Sequence, residues 1–296
     1  MKAKSAAKKE TAAAATATAT AADADRPMSI WEHLSELRKR LFYSAIAVVT
    51  GAGVAWNYHE RILSFLAKPF CDSWRASKLP GTCALNFSSP GGAFTSYFQV
   101  SLVAGLLLAA PIVFFQLWAF IAPGLYAREK KIVIPFVLSS TLMFVGGSYF
   151  CWRAAFPVTF DYFLGLSGRL DGIDMNVVPT VMMDDYVGFV TQMLLGFGLV
   201  FELPLVIFFL SLVGIVNYLQ LIHYARYVIV GIFVVAAVLT PPDVTSQLVM
   251  AIPMLVLYVG SIGLAFVFGK PPTESQREWY KEQRKKSKGQ PTEYEG

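Results

Sequence analysis

Apolar residues fall along the chain in six blocks, at about Leu41–Tyr58, Tyr97–Ile121, Ile132–Trp152, Tyr186–Val213, Tyr227–Leu239 and Gln247–Phe268. Most are long enough for a membrane span, which needs roughly 18 or more apolar residues. Ahead of the first block, Ser29 and Glu32 have the spacing of a capping box. Ile30, Leu34, Leu37 and Leu41 then recur at helical spacing, with Glu32, Glu36, Arg38, Lys39 and Arg40 on the other faces. This predicts an amphipathic helix lying at a membrane interface and running into the first span. The fold class expected is an all-α polytopic membrane protein with six transmembrane helices.

The polar segments between the blocks refine that picture. Residues 59–92 carry Arg61, Lys68, Pro69, Asp72, Arg75 and Lys78. The segment is too long for a simple turn, so some structure of its own is expected. Residues 153–185 hold five aspartates (Asp161, Asp171, Asp174, Asp184 and Asp185) against Arg153 and Arg169. Glu202 and Pro204 interrupt the fourth block. The fifth has only thirteen residues, about 20 Å of helix against about 30 Å of hydrocarbon. Thr240-Pro241-Pro242-Asp243 breaks it, and the sixth contains Pro253. The last pair is therefore expected to be a hairpin of short fifth and sixth helices. The alternative, a fifth helix that extends into Tyr224 or Thr240 and spans normally, stands beside it.

Composition agrees with a membrane protein. Hydrophobic residues make up 55% and charged residues 15% of the chain, with a mean hydropathy of +0.51. Soluble domains have about 25% charged residues. The net charge of +5 does not indicate nucleic acid, because the basic residues sit at the ends of apolar blocks and in the tails. Threading the six spans in alternation places 19 of the 25 Lys and Arg on the side of the termini, and only Arg61, Lys68, Arg75, Lys78, Arg153 and Arg169 opposite. Positive residues stay inside, so both termini are expected in the cytoplasm. Residues 1–27, rich in Lys, Ala and Thr, lack the apolar stretch of a secretory signal and are expected to be a disordered cytoplasmic tail. Residues 28–268 form the membrane domain and 269–296 a basic cytoplasmic tail.

Few residues offer chemistry. Glu202 lies within an apolar helix, where an ionisable group costs about 2.5–3.5 kcal/mol and is usually functional or paired. It is either a polar spot in a pathway or a structural Glu bonded to neighbours such as Gln116 or Gln192. Glu36 and Glu129 are lone carboxylates in basic clusters, Glu36-Leu37-Arg38-Lys39-Arg40 and Arg128-Glu129-Lys130-Lys131. From the residues alone a surface ion pair is the simpler reading. The sharper one is recognition of an arginine pair through bidentate bonds. Cys71 and Cys83 share one external segment, so they are either disulfide-bonded or free thiols. His33, His59 and His223 all lie outside the apolar blocks, and no metal-ligand or phosphate-loop spacing occurs. Gly165-Leu166-Ser167-Gly168 has no histidine at membrane depth to activate its serine and is read as a turn. An enzyme is not expected.

Four stretches resemble one family, in its order: His33–Leu41, Gln116–Tyr126, Phe201-Glu202-Leu203-Pro204 and Leu239–Gln247. Together they resemble the TatC family, the multispanning core of the twin-arginine protein translocase, over about Ser29–Lys270. The resemblance implies a non-enzymatic signal-peptide receptor and scaffold in the bacterial inner membrane. It exports folded proteins with twin-arginine signals, using the proton-motive force and no cofactor. The implied partners are TatA-like and TatB-like single-span proteins, the signal peptides, the lipid bilayer and further copies in a larger complex. Glu36 and Glu129 match carboxylates that engage the arginine pair, and Arg38 and Phe120 match neighbouring docking positions. Glu202 matches an intramembrane acidic site. Thr240 and Gln247 match positions linked to partner-helix docking, and Pro69 and Asp243 match positions on the external side. The main rival is a secondary transporter of a small solute with Glu202 at a midplane site, although the first three spans show no matching Glu/Pro feature.

Overall fold

The computed structural model describes residues 30–87, 89–121, 133–169, 176–240 and 243–287. Helices dominate: α1 (Ile30–Trp56), α2 (His59–Ala76), α3 (Pro90–Ile121), α4 (Val133–Phe150), α5 (Phe156–Gly165), α6 (Met183–Phe201), α7 (Leu203–Val213), α8 (Tyr218–Leu239), α9 (Val244–Phe268) and α10 (Glu274–Ser287). A π-helical turn, Cys151–Ala155, joins α4 to α5. A two-residue antiparallel ladder pairs Gly168–Arg169 with Asn176–Val177. The described residues fall into two compact parts, 30–43 and 44–287.

Among the described residues, five stretches are long and apolar enough to cross a bilayer: Pro90–Ile121, Val133–Gly165, Met183–Val213, Tyr218–Leu239 and Val244–Phe268. The pair α1 and α2, bent by 85° at its break, makes a sixth where the two are counted as one span. Many large apolar side chains on these helices are exposed, among them Leu108, Leu142, Val234, Val238 and Val259. Such surface is at home against lipid tails and costly against water. The chain is a multi-pass, all-helical membrane protein.

Packing follows membrane rules, with small residues where helices approach closely. A β-carbon on Gly51 of α1 would lie 2.6 Å from the Gly105 carbonyl oxygen of α3, and one on Gly105 would strike the backbone of Ala52. The largest core joins Phe70 and Trp74 of α2, Phe156 and Phe160 of α5, Met193 and Phe197 of α6, and Met250 of α9. A smaller one joins Phe114 and Trp118 of α3 to Phe136 and Phe144 of α4, flanked by Phe208 and Phe209 of α7.

Several boundaries differ from the sequence expectation. Helix α8 has 22 residues and α9 has 25, about 33 and 38 Å, so neither is short by length. The cause is a capping box: Asn217 accepts from the Gln220 backbone N–H (3.0 Å), and the Gln220 side chain accepts from the Asn217 N–H (2.9 Å). It starts α8 two turns before the apolar block, carrying His223 and Arg226 into the helix. The segment 59–92 contains a whole helix, α2, whose inner face is Leu66, Pro69, Phe70, Ser73 and Trp74. The third span continues through the π turn to Gly165, taking Arg153 and Asp161 into helix rather than loop. The C-terminal segment includes α10. The predicted cap Ser29 lies outside the described residues.

Candidate functional site

On α1, one turn places Arg40 over Glu36. The Arg40 Nε and Nη2 both donate to the same Glu36 oxygen, at 2.8 and 2.5 Å. Each side chain keeps about a fifth of its surface exposed, 21% for Glu36 and 23% for Arg40. The simpler reading, an intrachain pair, is thus present for Glu36. The same contact shows that this carboxylate takes a guanidinium in two-nitrogen geometry. Arg38 is exposed on the same helix. Phe120 is half-buried, one residue from the end of α3. Glu129 lies outside the described residues.

Glu202 occupies the break between α6 and α7. Its backbone N–H reaches the Leu199 carbonyl (3.1 Å), and its own carbonyl accepts from Val206 (2.9 Å). Pro204 sits at the start of α7, where a missing N–H is tolerated. The side chain is 8% exposed. The Ser140 hydroxyl and the Phe144 backbone of α4 lie within reach of the carboxyl, yet Oε1 has no hydrogen-bond partner among the described residues. Gln192, one of the expected neighbours, instead donates to the Val238 carbonyl (2.9 Å). Ser140 is itself the acceptor of the Trp118 indole N–H from α3 (2.8 Å). Three helices therefore meet at a small polar point inside apolar surroundings. Trp118 and Ser140 were missed from sequence. Their spacing carries no motif, and a serine within an apolar block is commonplace.

The turn between α8 and α9 gathers the third group. The Thr240 hydroxyl donates to the Ala236 carbonyl (2.8 Å), ending α8. Asp243 caps α9 by accepting from the Ser246 N–H (2.8 Å), while its Oδ2 is buried without a partner among the described residues. Gln247 crosses the hairpin to the Phe233 carbonyl (3.0 Å). Thr240, Asp243 and Gln247 therefore share one hairpin tip.

On α2, Pro69 is buried inside the helix and offers no N–H to the carbonyl four residues back, that of Phe65. The Trp152 indole fills that role, donating to the Phe65 oxygen (3.0 Å). Cys71 and Cys83 are bonded to each other, with α-carbons 5.4 Å apart. Ser167 sits in the turn after α5, its N–H on the Leu164 carbonyl (3.0 Å). Among the described residues no three His, Cys, Asp or Glu side chains converge to hold a metal.

Comparison with known proteins bears on this arrangement. The family model of the Sec-independent protein translocase protein (TatC) matches residues 32–253. Among curated relatives, the TatC of Koribacter versatilis is 37% identical over 252 residues, covering 85% of this chain and 90% of that protein. The TatC of Desulforapulum autotrophicum is 40% identical over 247 residues, covering 83% and 87%. A crystal structure of the twin-arginine translocase receptor TatC superposes with a TM-score of 0.69 at 34% identity, covering 80% of this chain and 99% of that one. A second, determined in DDM, gives 0.70. None of these supports the small-solute transporter. With its apolar membrane spans and the break at Glu202, the chain belongs to the TatC family and is a component of the Sec-independent protein translocase.

Proposed function

We propose that this protein is the signal-peptide receptor and core scaffold of its translocase. In this reading it lies in the cytoplasmic membrane with both termini inside and recognises arginine pairs on the leaders of folded cargo. It acts non-enzymatically, with TatA-like and TatB-like single-span partners and in more than one copy, and transport is driven by the proton-motive force. Glu36 and Glu129 are the arginine-reading carboxylates, with Arg38 and Phe120 beside them. Glu202, Thr240 and Gln247 recruit partner helices, while Pro69 and Asp243 support the external side.

The observation that carries the reading is the Arg40–Glu36 pair. A guanidinium already occupies the carboxylate through two nitrogens, so Arg40 holds the place that a signal arginine takes on binding. Lysine offers a single point charge and not that fork. The excess of basic residues on the side of the termini supports the orientation.

The test is export of a folded reporter with a twin-arginine leader by the Glu36→Ala, Glu129→Ala double variant. Export is expected to stop while the protein still inserts. Purified protein should bind an Arg-Arg leader at least tenfold more tightly than a Lys-Lys leader. Normal export by the double variant, or equal binding of the two leaders, refutes the carboxylate role.

A further inference from the structure

A groove of about 530 Å³ lies between α2 and the π turn with α5, lined by Lys68, Pro69, Asp72, Trp152, Arg153 and Asp161. It sits where the third apolar block ends. The π turn creates its charge arrangement. Such a turn accommodates one extra residue, so Arg153 and Asp161, eight positions apart, share a face as residues seven apart do in a regular α-helix. Asp72 pairs with Arg75 at 3.3 Å. Lys68, Arg153 and Asp161 enter no ion pair among the described residues.

Around the groove stands a band of rings. Trp152 stacks on Phe65 at 4.3 Å and neighbours Tyr149 at 6.0 Å. Phe65 and Tyr149 are more than half exposed. Aromatic side chains of this kind gather at the headgroup level of a bilayer.

We infer that this groove is a headgroup site for a zwitterionic phospholipid with a primary ammonium, a phosphoethanolamine lipid. Lys68 and Arg153 take the phosphate, Arg153 through its fork of donors. Asp161 and the second oxygen of Asp72 take the ammonium, and the exposed rings lie against the upper acyl chains. A purely anionic headgroup meets the two carboxylates with no cation to offer them. A choline headgroup is positive but has no N–H to donate. The site is separate from the proposed signal-binding residues and does not depend on their role.

The test uses the full-length protein reconstituted in bilayers of equal phosphoethanolamine, phosphocholine and phosphoglycerol lipids with matched chains. After extraction, retained lipid is counted by native mass spectrometry. At least fivefold enrichment of phosphoethanolamine lipid over each of the others is expected. Arg153→Gln should lower its retention at least fivefold, and Asp161→Asn should erase its advantage over phosphocholine. Both residues are exposed, and thermal unfolding checks each fold; Lys68→Gln replaces Arg153→Gln if that variant fails to fold. Equal retention of the three lipids by the unaltered protein, or full enrichment in the folded variants, overturns the site. Soluble phosphoethanolamine at millimolar concentration should leave bound lipid in place. Complete displacement by it overturns the assignment to a lipid.

Discussion

Glu36 and Glu202 are the same side chain in opposite circumstances. Glu36 rides an amphipathic helix, partly exposed, with two guanidinium nitrogens on one oxygen. Glu202 is buried at a helix break, with one oxygen unpartnered among the described residues. The first is a satisfied charge whose partner is exchangeable, because an exposed pair is worth little and water is at hand. The second is an unsatisfied polar group whose burial costs about 1–3 kcal/mol. A cost retained in a fold calls for a use. The proposed use is to keep a polar point in the bilayer to which another helix can bring a donor. In the proposed reading one carboxylate works by exchanging partners and the other by lacking one.

Replacing Glu202 by Leu gives the largest effect. Removing an unsatisfied buried oxygen from apolar surroundings should stabilise the isolated protein by about 1–3 kcal/mol, read from unfolding in mixed detergent micelles. Export of a folded reporter should fall in the same variant. A loss of stability instead would mean that the carboxyl is fully bonded within this chain, and the contrast with Glu36 would vanish.

Ser140→Ala sharpens the contrast from the other side. It removes the acceptor of the Trp118 indole and a hydroxyl beside the Glu202 carboxyl. Interhelical hydrogen bonds in membranes average about 0.6 kcal/mol, so a loss of about that size is expected. In the Glu202→Leu background the loss should be of the same size, since the indole bond is what the substitution breaks in both. A double-mutant cycle with a coupling above about 1 kcal/mol would show that Ser140 chiefly serves Glu202.

The membrane spans were legible because their signal, uninterrupted apolar residues, is the physical cause of their insertion. Glu202 was legible for the same reason, as a single violation of that signal. What sequence concealed lay where charge and helix coincide. Arg153 and Asp161 read as loop residues, yet α5 continues the span because Phe156, Phe160 and Leu164 bury its other side. Helix α2 was hidden by Pro69 and five charged residues, although Leu66, Phe70, Ser73 and Trp74 keep the helical interval. The early start of α8 was written in Asn217 and Gln220, a capping box outside the apolar block. The neighbours of Glu202 were out of reach, because a contact between Ser140 and Glu202 depends on how α4 packs against the α6–α7 break.

Arg40→Ala has the smallest effect and bears most directly on the exchange. An i,i+4 pair at a surface contributes about 0.3–0.5 kcal/mol, so the fold should be unmoved. If Arg40 occupies the place of a signal arginine, its removal frees the carboxylate by that amount, and a twin-arginine leader should bind the purified protein about twofold more tightly. Raising the salt concentration should narrow the difference, since the lost competitor was an exposed charge. Weaker binding in this variant would mean that Arg40 orients Glu36 for the leader rather than competing with it. The N-terminal carboxylate would then work through a fixed neighbour rather than by exchanging one.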